Sequence, residues 1–249
     1  MMATIRRLAR RAGVEVAGHR PATSAALRLR LLLDALGVDV VIDAGAHRGQ
    51  FGRWLRELGY RDEIISIEPQ LAANARLRRA ARRDPRWHVL PPLALGDADG
   101  TAELTIAADS ESSSLAAALP ALLAAAPAAA GVATERVPLR RLDSLAPALL
   151  ACARAPFLKL DVQGYERRVL AGAAHTLPLL RGLQLELSLA PLYAGEATLA
   201  EVAAELAQEG FALHGLTPGF TDPRDGRVLQ VDALFARIGP ATRSGTVPA

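Results

Sequence analysis

The sequence predicts an α/β fold: a doubly wound, mostly parallel sheet with an antiparallel C-terminal hairpin. Three observations carry this expectation. Apolar, β-branched runs of strand length, such as "VDVVID" at 38–43, suit central strands buried on both faces. Segments with helical spacing separate these runs. The order through residue 90 is β-α-β-α-β, which implies right-handed crossovers.

Leucines at helical spacing make residues 25–36 a helix leading into the domain. Residues 38–43 are the first strand, and Gly45 to Gly49 a turn. Phe51, Trp54, Leu55 and Leu58 then share one face of a helix, with Gly59 placed as its C-cap glycine. Residues 63–68 are a second strand stopped by Pro69, residues 71–83 an arginine-studded helix, and residues 86–90 a third strand. Residues 94–97 turn into an alternating strand over 101–106. The alanine-rich segment 115–134 reads as a helical insertion or a lid. Residues 137–139 return to strand, and Asp143 or Ser144 is the expected N-cap of the next helix. Residues 156–161 are another buried strand ending in an acid, followed by a helix whose buried face begins with Val169 and Leu170. Residues 183–189 alternate, giving one apolar and one polar face. After a helix over 199–206, strands at 211–213 and 228–235 pair as the hairpin. The boundaries that follow are an arginine-rich helical extension (1–37), the main domain (38–239) and a tail expected to be disordered (240–249).

With 249 residues, 51% of them apolar, the chain is long enough for one sizeable core. Cys152 stands alone, which excludes an internal disulfide and a cysteine-based zinc cluster; a buried bystander thiol is expected. No apolar run approaches the ~20 residues that span a bilayer. No signal-peptide pattern follows the basic start, so a cytoplasmic protein without membrane insertion is expected. Residues 1–30 carry seven arginines against one glutamate. With only three Tyr, two Trp and five Phe available for base stacking, this reads as a solvated face and not a nucleic-acid arm. Lys159 is the only lysine in a chain that otherwise uses arginine, which marks a position where the choice was not free. The five histidines form no H-x-x-H or H-E-x-x-H pattern, so no metal is expected.

In open α/β sheets, ligands bind beyond the carboxyl ends of the strands. The residues there are Asp43, Glu68, Asp97, Asp161, Glu186 and Ser188, five of the six being acids. Such a rim repels phosphate and favours a cationic centre with a ribose. The first turn has Gly45 and Gly49 but His47 where a dinucleotide fingerprint has its second glycine. Glu68 can accept hydrogen bonds from both ribose hydroxyls, worth ~1.5–3 kcal/mol each. S-adenosyl-L-methionine meets these demands, with a sulfonium, an amino acid head, a ribose and no phosphate. Its carboxylate would approach the helix N-terminus near Gly49, its ammonium Asp43, and its adenine edge Asp97. The candidate cofactor residues are thus Asp43, Gly45, His47, Gly49, Glu68, Pro69, Gly96 and Asp97. For the chemistry, Asp161 is the expected general base. Lys159 lies two residues back on the same side of the strand, and Glu186 joins them from the next strand. Gln163, Glu166 and Ser188 are candidate acceptor contacts.

Successive blocks then resemble one family: "VIDAGAHRGQFGRWLRELGY", "IISIEP", "ALGD", "SSS", "RLDSL", "FLKLDVQGYERRVLAGA", "LQLELSLAPLYAGE" and "LQVDALFAR". The chain resembles the FkbM family of S-adenosylmethionine-dependent methyltransferases from about residue 40 to 237, most specifically over 159–173. The family usually has Asn where this chain has His47. The resemblance implies a class I methyltransferase, Rossmann-like fold, and O-methylation of a hydroxyl on a sugar or secondary metabolite. Two other classes compete: a catalytically silent cofactor-binding module, and a nicotinamide-dependent oxidoreductase. The missing glycine at position 47 argues against the latter. The arm at 1–37 and segments 110–138 and 217–227 are expected to shape the acceptor site, but their composition names no acceptor.

Overall fold

The computed structural model describes Arg11 and residues 20–238. Residues 1–10 and 12–19 of the arginine-rich extension and the tail expected at 240–249 lie outside the described residues. Helix α1 (Ala25–Leu36) starts where the Ser24 hydroxyl accepts the Leu27 N–H at 3.2 Å, and ends at Gly37 in the left-handed region, φ 62°. Then come β1 (Val40–Ala44), α2 (Gln50–Glu57), β2 (Glu63–Ile67), α3 (Leu71–Ala81) and β3 (Trp87–Val89). This first winding follows the hydrophobic periodicity of the sequence, with every boundary within about two residues of its expected place.

Strands β4 (Ala94–Leu95), β5 (Gly100–Ala107) and β6 (Gly131–Arg140) form a separate three-stranded sheet, in the order β4-β6-β5. The strand expected at 101–106 thus leaves the main sheet, and that at 137–139 is the end of a ten-residue strand. Between β5 and β6 the alanine-rich segment folds into α4 (Pro120–Ala125) and a 3-10 turn (Pro127–Ala129). It has a small core of its own, in which Leu122 and Ala129 pack with Leu192, Tyr193 and Leu229.

The second winding comprises α5 (Leu142–Leu149), β7 (Pro156–Leu160), α6 (Glu166–Ala171), β8 (Gly182–Ser188) and α7 (Leu199–Gln208). It closes with the hairpin β9 (Phe211–Pro218) and β10 (Gln230–Arg237). Neither expected N-cap is used in α5: the cap is Arg141, without a side-chain bond. Asp143 turns instead to the segment after α6. There it accepts the N–H groups of His175 and Thr176 and the Thr176 hydroxyl, a stronger demand than one helix terminus makes. Cys152 is exposed, not buried, because it falls in the turn between α5 and β7.

The main sheet has the order β3-β2-β1-β7-β8-β10-β9. The pairs from β3 to β8 are parallel, and β10 runs antiparallel to both its neighbours. Helices α1, α2 and α3 cover one face, packing Leu29, Leu55 and Leu77 on Val41, Ile64 and Phe157. On the other face Leu142, Val169 and Val202, from α5, α6 and α7, pack on Ile42, Leu158 and Leu185. Each such side chain contributes ~1.5–3 kcal/mol through burial. Winding reverses between β1 and β7, so the loops at their carboxyl ends part and leave a crevice. Among the described residues no helix is long and apolar enough to cross a membrane.

Candidate active site

The crevice is a cavity of ≈ 760 Å³, within the ~300–1,000 Å³ usual for small-molecule sites. Strand register explains its lining. Ser66, Asp43, Lys159 and Gln184 pair in sequence across β2, β1, β7 and β8, and so form one polar row on one face. Two residues further along each strand come Glu68, Gly45, Asp161 and Glu186, with Asp232 opposite Glu186 on β10. The inner row is structural and the outer row lines the cavity, with Lys159 and Gln184 bridging the two.

In the inner row Asp43 is fully buried and does not line the cavity. Its Oδ2 accepts the Ser66 hydroxyl at 3.3 Å, and Lys159 Nζ lies 3.2 Å from its Oδ1. The ammonium that the sequence leads one to expect opposite Asp43 is therefore the chain's own. Lys159 Nζ also donates to the Gly45 carbonyl at 3.1 Å and lies 3.4 Å from Asp161 Oδ2, so it is held between two carboxylates of the chain itself. Burial alone would lower the pKa of Lys159, but Asp161 and Asp43 hold it above the ordinary lysine value. Gly45 has φ 74°, and a Cβ there would land on the Asp161 carbonyl oxygen. Only glycine lets β1 and β7 close this tightly.

Glu68 follows β2 and is held by two backbone donors, His47 N–H to Oε2 at 2.7 Å and Gln70 N–H to Oε1 at 2.8 Å. Burial pushes its pKa up to about 7. Gly45, His47, Glu68 and Pro69 line the same end of the cavity. His47 Nε2 lies 3.0 Å from Ser110 Oγ, and burial and then Arg48 lower its pKa, keeping the ring neutral at pH 7. Gly49 caps α2 and faces Leu77 and Trp87 instead of the cavity. Gly96 and Asp97 also stand outside the lining. Gly96 lies against Gly172, and Asp97 pairs with Arg168 at 3.0 Å, half-exposed.

At the other end, Asp161, Gln163, Glu186 and Lys159 line the cavity together. Gln163 Nε2 donates to both Asp161 Oδ1 and Glu186 Oε2 at 2.7 Å, and its Oε1 accepts the Tyr193 hydroxyl at 2.7 Å. Burial, then the nearby Asp161 and Glu166, raise the Glu186 pKa well above the usual carboxylate range. Two candidate acceptor contacts do not reach the cavity. Glu166 accepts the Val162 N–H at 2.8 Å and closes the turn after β7; burial pushes its pKa up to about 8. Ser188 is fully buried and donates to Glu196 at 2.6 Å. Glu196 in turn fixes the Leu192 and Tyr193 N–H groups.

Gln184, Gln230, Asp232 and Ser110 also line the cavity; the alternation of residues 183–189 hints at Gln184 and the expected acceptor segment 110–138 takes in Ser110, whereas nothing local points to Gln230 or Asp232. Among the described residues, three non-glycine residues have positive φ: His47 (45°), Ser110 (62°) and Gln163 (55°). All three line this one cavity. Strain of ~1–3 kcal/mol each is kept only where the surroundings over-determine it, as at ligand sites. Among the described residues no group of three or more His, Cys, Asp or Glu is arranged to hold a metal ion.

A family model described as the methyltransferase FkbM domain matches residues 43–213. No curated protein matches the chain. Solved structures similar to it include a magnesium protoporphyrin IX methyltransferase from Synechocystis PCC 6803 with bound S-adenosylmethionine. That likeness has 12% identity and TM-score 0.46, over 86% of this chain and 78% of that one. An rRNA methylase from Streptococcus thermophilus is similar at 12% identity and TM-score 0.45, over 90% and 100%. A 1,6-didemethyltoxoflavin N1-methyltransferase from Burkholderia thailandensis with bound S-adenosylhomocysteine is similar at 19% identity and TM-score 0.38, over 95% and 84%.

Proposed function

The chain belongs to the FkbM methyltransferase family, and on that premise we propose that it is an O-methyltransferase acting on a hydroxyl of a small molecule, such as a sugar or secondary metabolite. S-adenosylmethionine, the cofactor, supplies a methyl group on a positively charged sulfur. The residues fit it. Glu68 turns a carboxylate, fixed by two N–H groups, into a cavity flanked by Ile67, Leu93 and Leu95, which suits a ribose diol beside an adenine. Among the described residues Lys159 is the one Lys or Arg of the lining, against Glu68, Glu111, Asp161, Glu186 and Asp232, so a cationic, phosphate-free ligand is favoured.

One observation carries the reading: Glu68, fixed by two backbone N–H groups, and Asp161, tethered by Lys159 and Gln163, share one small-molecule-sized cavity. Asp161 takes the hydroxyl proton as the oxygen–carbon bond forms and the carbon–sulfur bond breaks. Holding the acceptor in line is worth up to ~7–11 kcal/mol, and the base about 10²–10⁴-fold. The acidic lining would repel a polyphosphate backbone, which favours a small acceptor over a nucleic acid.

Calorimetric titration with S-adenosylhomocysteine and NADH, followed by transfer of labelled methyl to a library of hydroxyl compounds, tests this. S-adenosylhomocysteine should bind and NADH should not. Binding without transfer to any hydroxyl would leave a silent module, and preferential NADH binding would sink the reading altogether.

A further inference from the structure

Glu186 and Asp232 are direct partners in the antiparallel β8–β10 pairing, so their side chains leave one face of the sheet with Cβ atoms about 5 Å apart. Gln184, two residues before Glu186, shares that face. All three line the cavity, three and four strands along the sheet from β2.

Their hydrogen bonds are incomplete in one particular way. Glu186 Oε2 takes both Gln163 Nε2, at 2.7 Å, and Gln230 Nε2, at 3.2 Å. Asp232 Oδ1 takes Gln184 Nε2 at 3.3 Å. Each amide nitrogen is thus already turned to a carboxylate. Glu186 Oε1 and Asp232 Oδ2 have no partner among the described residues. Gln184 Oε1 is also without one, on a side chain only 7% exposed. A buried acceptor left unmade costs ~1–3 kcal/mol; Gln184 Oε1 is one, and the two unpartnered carboxylate oxygens of the partly buried Glu186 and Asp232 belong to the same corner. Lys159 forms no ion pair with Glu186 or Asp232, being bound to Asp43 and Asp161. Burial raises the pKa of both free carboxyls, as expected of negative charge that lacks a partner.

We infer that this corner takes the primary ammonium of the methyl acceptor, which is therefore an amine-bearing alcohol, its N–H groups donating to Glu186 Oε1, Asp232 Oδ2 and Gln184 Oε1. The inference rests on the methyl-transfer reading of the cavity. An ammonium has three donors and no acceptor, matching the three open oxygens, and it balances charge. A hydroxyl brings one donor and no charge. A divalent cation would find only two carboxylates, and no metal-holding group exists among the described residues.

The test uses the full chain loaded with S-adenosylhomocysteine and ligand-observed NMR with ethanolamine and ethylene glycol, which differ only in the amine. Ethanolamine should bind at least tenfold tighter, and Asp232→Asn should remove that preference while S-adenosylhomocysteine affinity stays within twofold. In a small-molecule extract supplied with labelled cofactor, the product should be retained on a cation exchanger, and acylating the extract's amines should abolish transfer. Equal binding of the two probes, a preference that survives Asp232→Asn, a product in the unretained fraction, or MgCl₂ displacing ethanolamine would each overturn the inference. Failure of the wild type to bind S-adenosylhomocysteine would instead remove the methyl-transfer reading, and the inference with it.

Discussion

Lys159 Nζ lies 3.2 Å from Asp43 Oδ1, with the two side chains 7% and 0% exposed. Their positions are paired in the β1–β7 register, so the bond is written into the strand alignment. Removing one partner of a buried ion pair strands the other charge, at ~3–5 kcal/mol. Lys159→Met should lower the denaturant midpoint accordingly, and Asp43→Asn in the same chain should restore most of the loss. A single variant as stable as the wild type would show that the pair does not hold the crevice together.

Glu68 links pH to both binding and stability. Its pKa is pushed up to about 7 by burial, against ~4.3 in an unfolded chain. Between these values the folded state binds more protons than the unfolded one, so the Glu68 contribution to the stability of the ligand-free protein falls as pH rises. In the proposed ribose role, cofactor binding has the opposite slope, because only the ionised carboxylate would accept both ribose hydroxyls. S-adenosylhomocysteine affinity should therefore rise between pH 6 and 8 while the ligand-free melting temperature falls. Glu68→Gln should flatten the affinity profile and weaken binding about 10- to 100-fold, the worth of one or two charged hydrogen bonds. Affinity independent of pH in the wild type would contradict the ribose role.

Asp161→Asn should reduce methyl transfer by about 10²–10⁴-fold, the usual worth of a general base. S-adenosylhomocysteine affinity should stay close to that of the wild type, since Glu68 and the His47 turn are untouched. A parallel loss of affinity would move Asp161 from the chemistry to the cofactor.

Asp143 is a structural counterpart. Burial would raise its pKa, yet hydrogen bonds from Thr176, His175 and Arg141 hold it down to about 2. Its stabilisation is complete above the unfolded value of ~3.9 and is lost as pH falls toward 2. Asp143→Asn should cost roughly 1–3 kcal/mol at pH 7 and markedly less at pH 2, measured by denaturant melts at the two values.

Much of this was legible because burial writes itself into composition. The runs around Ile42 and Leu158 are apolar on both faces because helices cover both, and the strands follow. The alternation of Gln184, Glu186 and Ser188 was equally visible but ambiguous, since a polar face looks the same toward a cavity as toward water. Here it is buried, and only the register with β10 brings Asp232 against Glu186. Lys159 stood out as the lone lysine, but its partner Asp43 lies 116 residues away and no local pattern joins them. Asp97 illustrates the converse. It follows a strand, but β4 belongs to the second sheet, so its carboxyl meets Arg168 and not the cavity.

Gln163 separates strain from chemistry. It stands at φ 55°, where a side chain costs roughly 1–2 kcal/mol relative to glycine. It stays there because its amide nitrogen bridges Asp161 and Glu186 while the Tyr193 hydroxyl holds its oxygen. Gln163→Ala keeps the strain and loses the bridge, whereas Gln163→Gly loses both. Two carboxyls left without their shared donor lose the hydrogen bonds that fix them, so kcat should fall about tenfold in both variants. Stability should split them, Gln163→Gly being about 1 kcal/mol more stable than Gln163→Ala. If the two variants are equally stable but only one loses activity, the residue is held for some reason other than the bridge. If neither variant loses activity, the bridge between Asp161 and Glu186 does not serve the reaction.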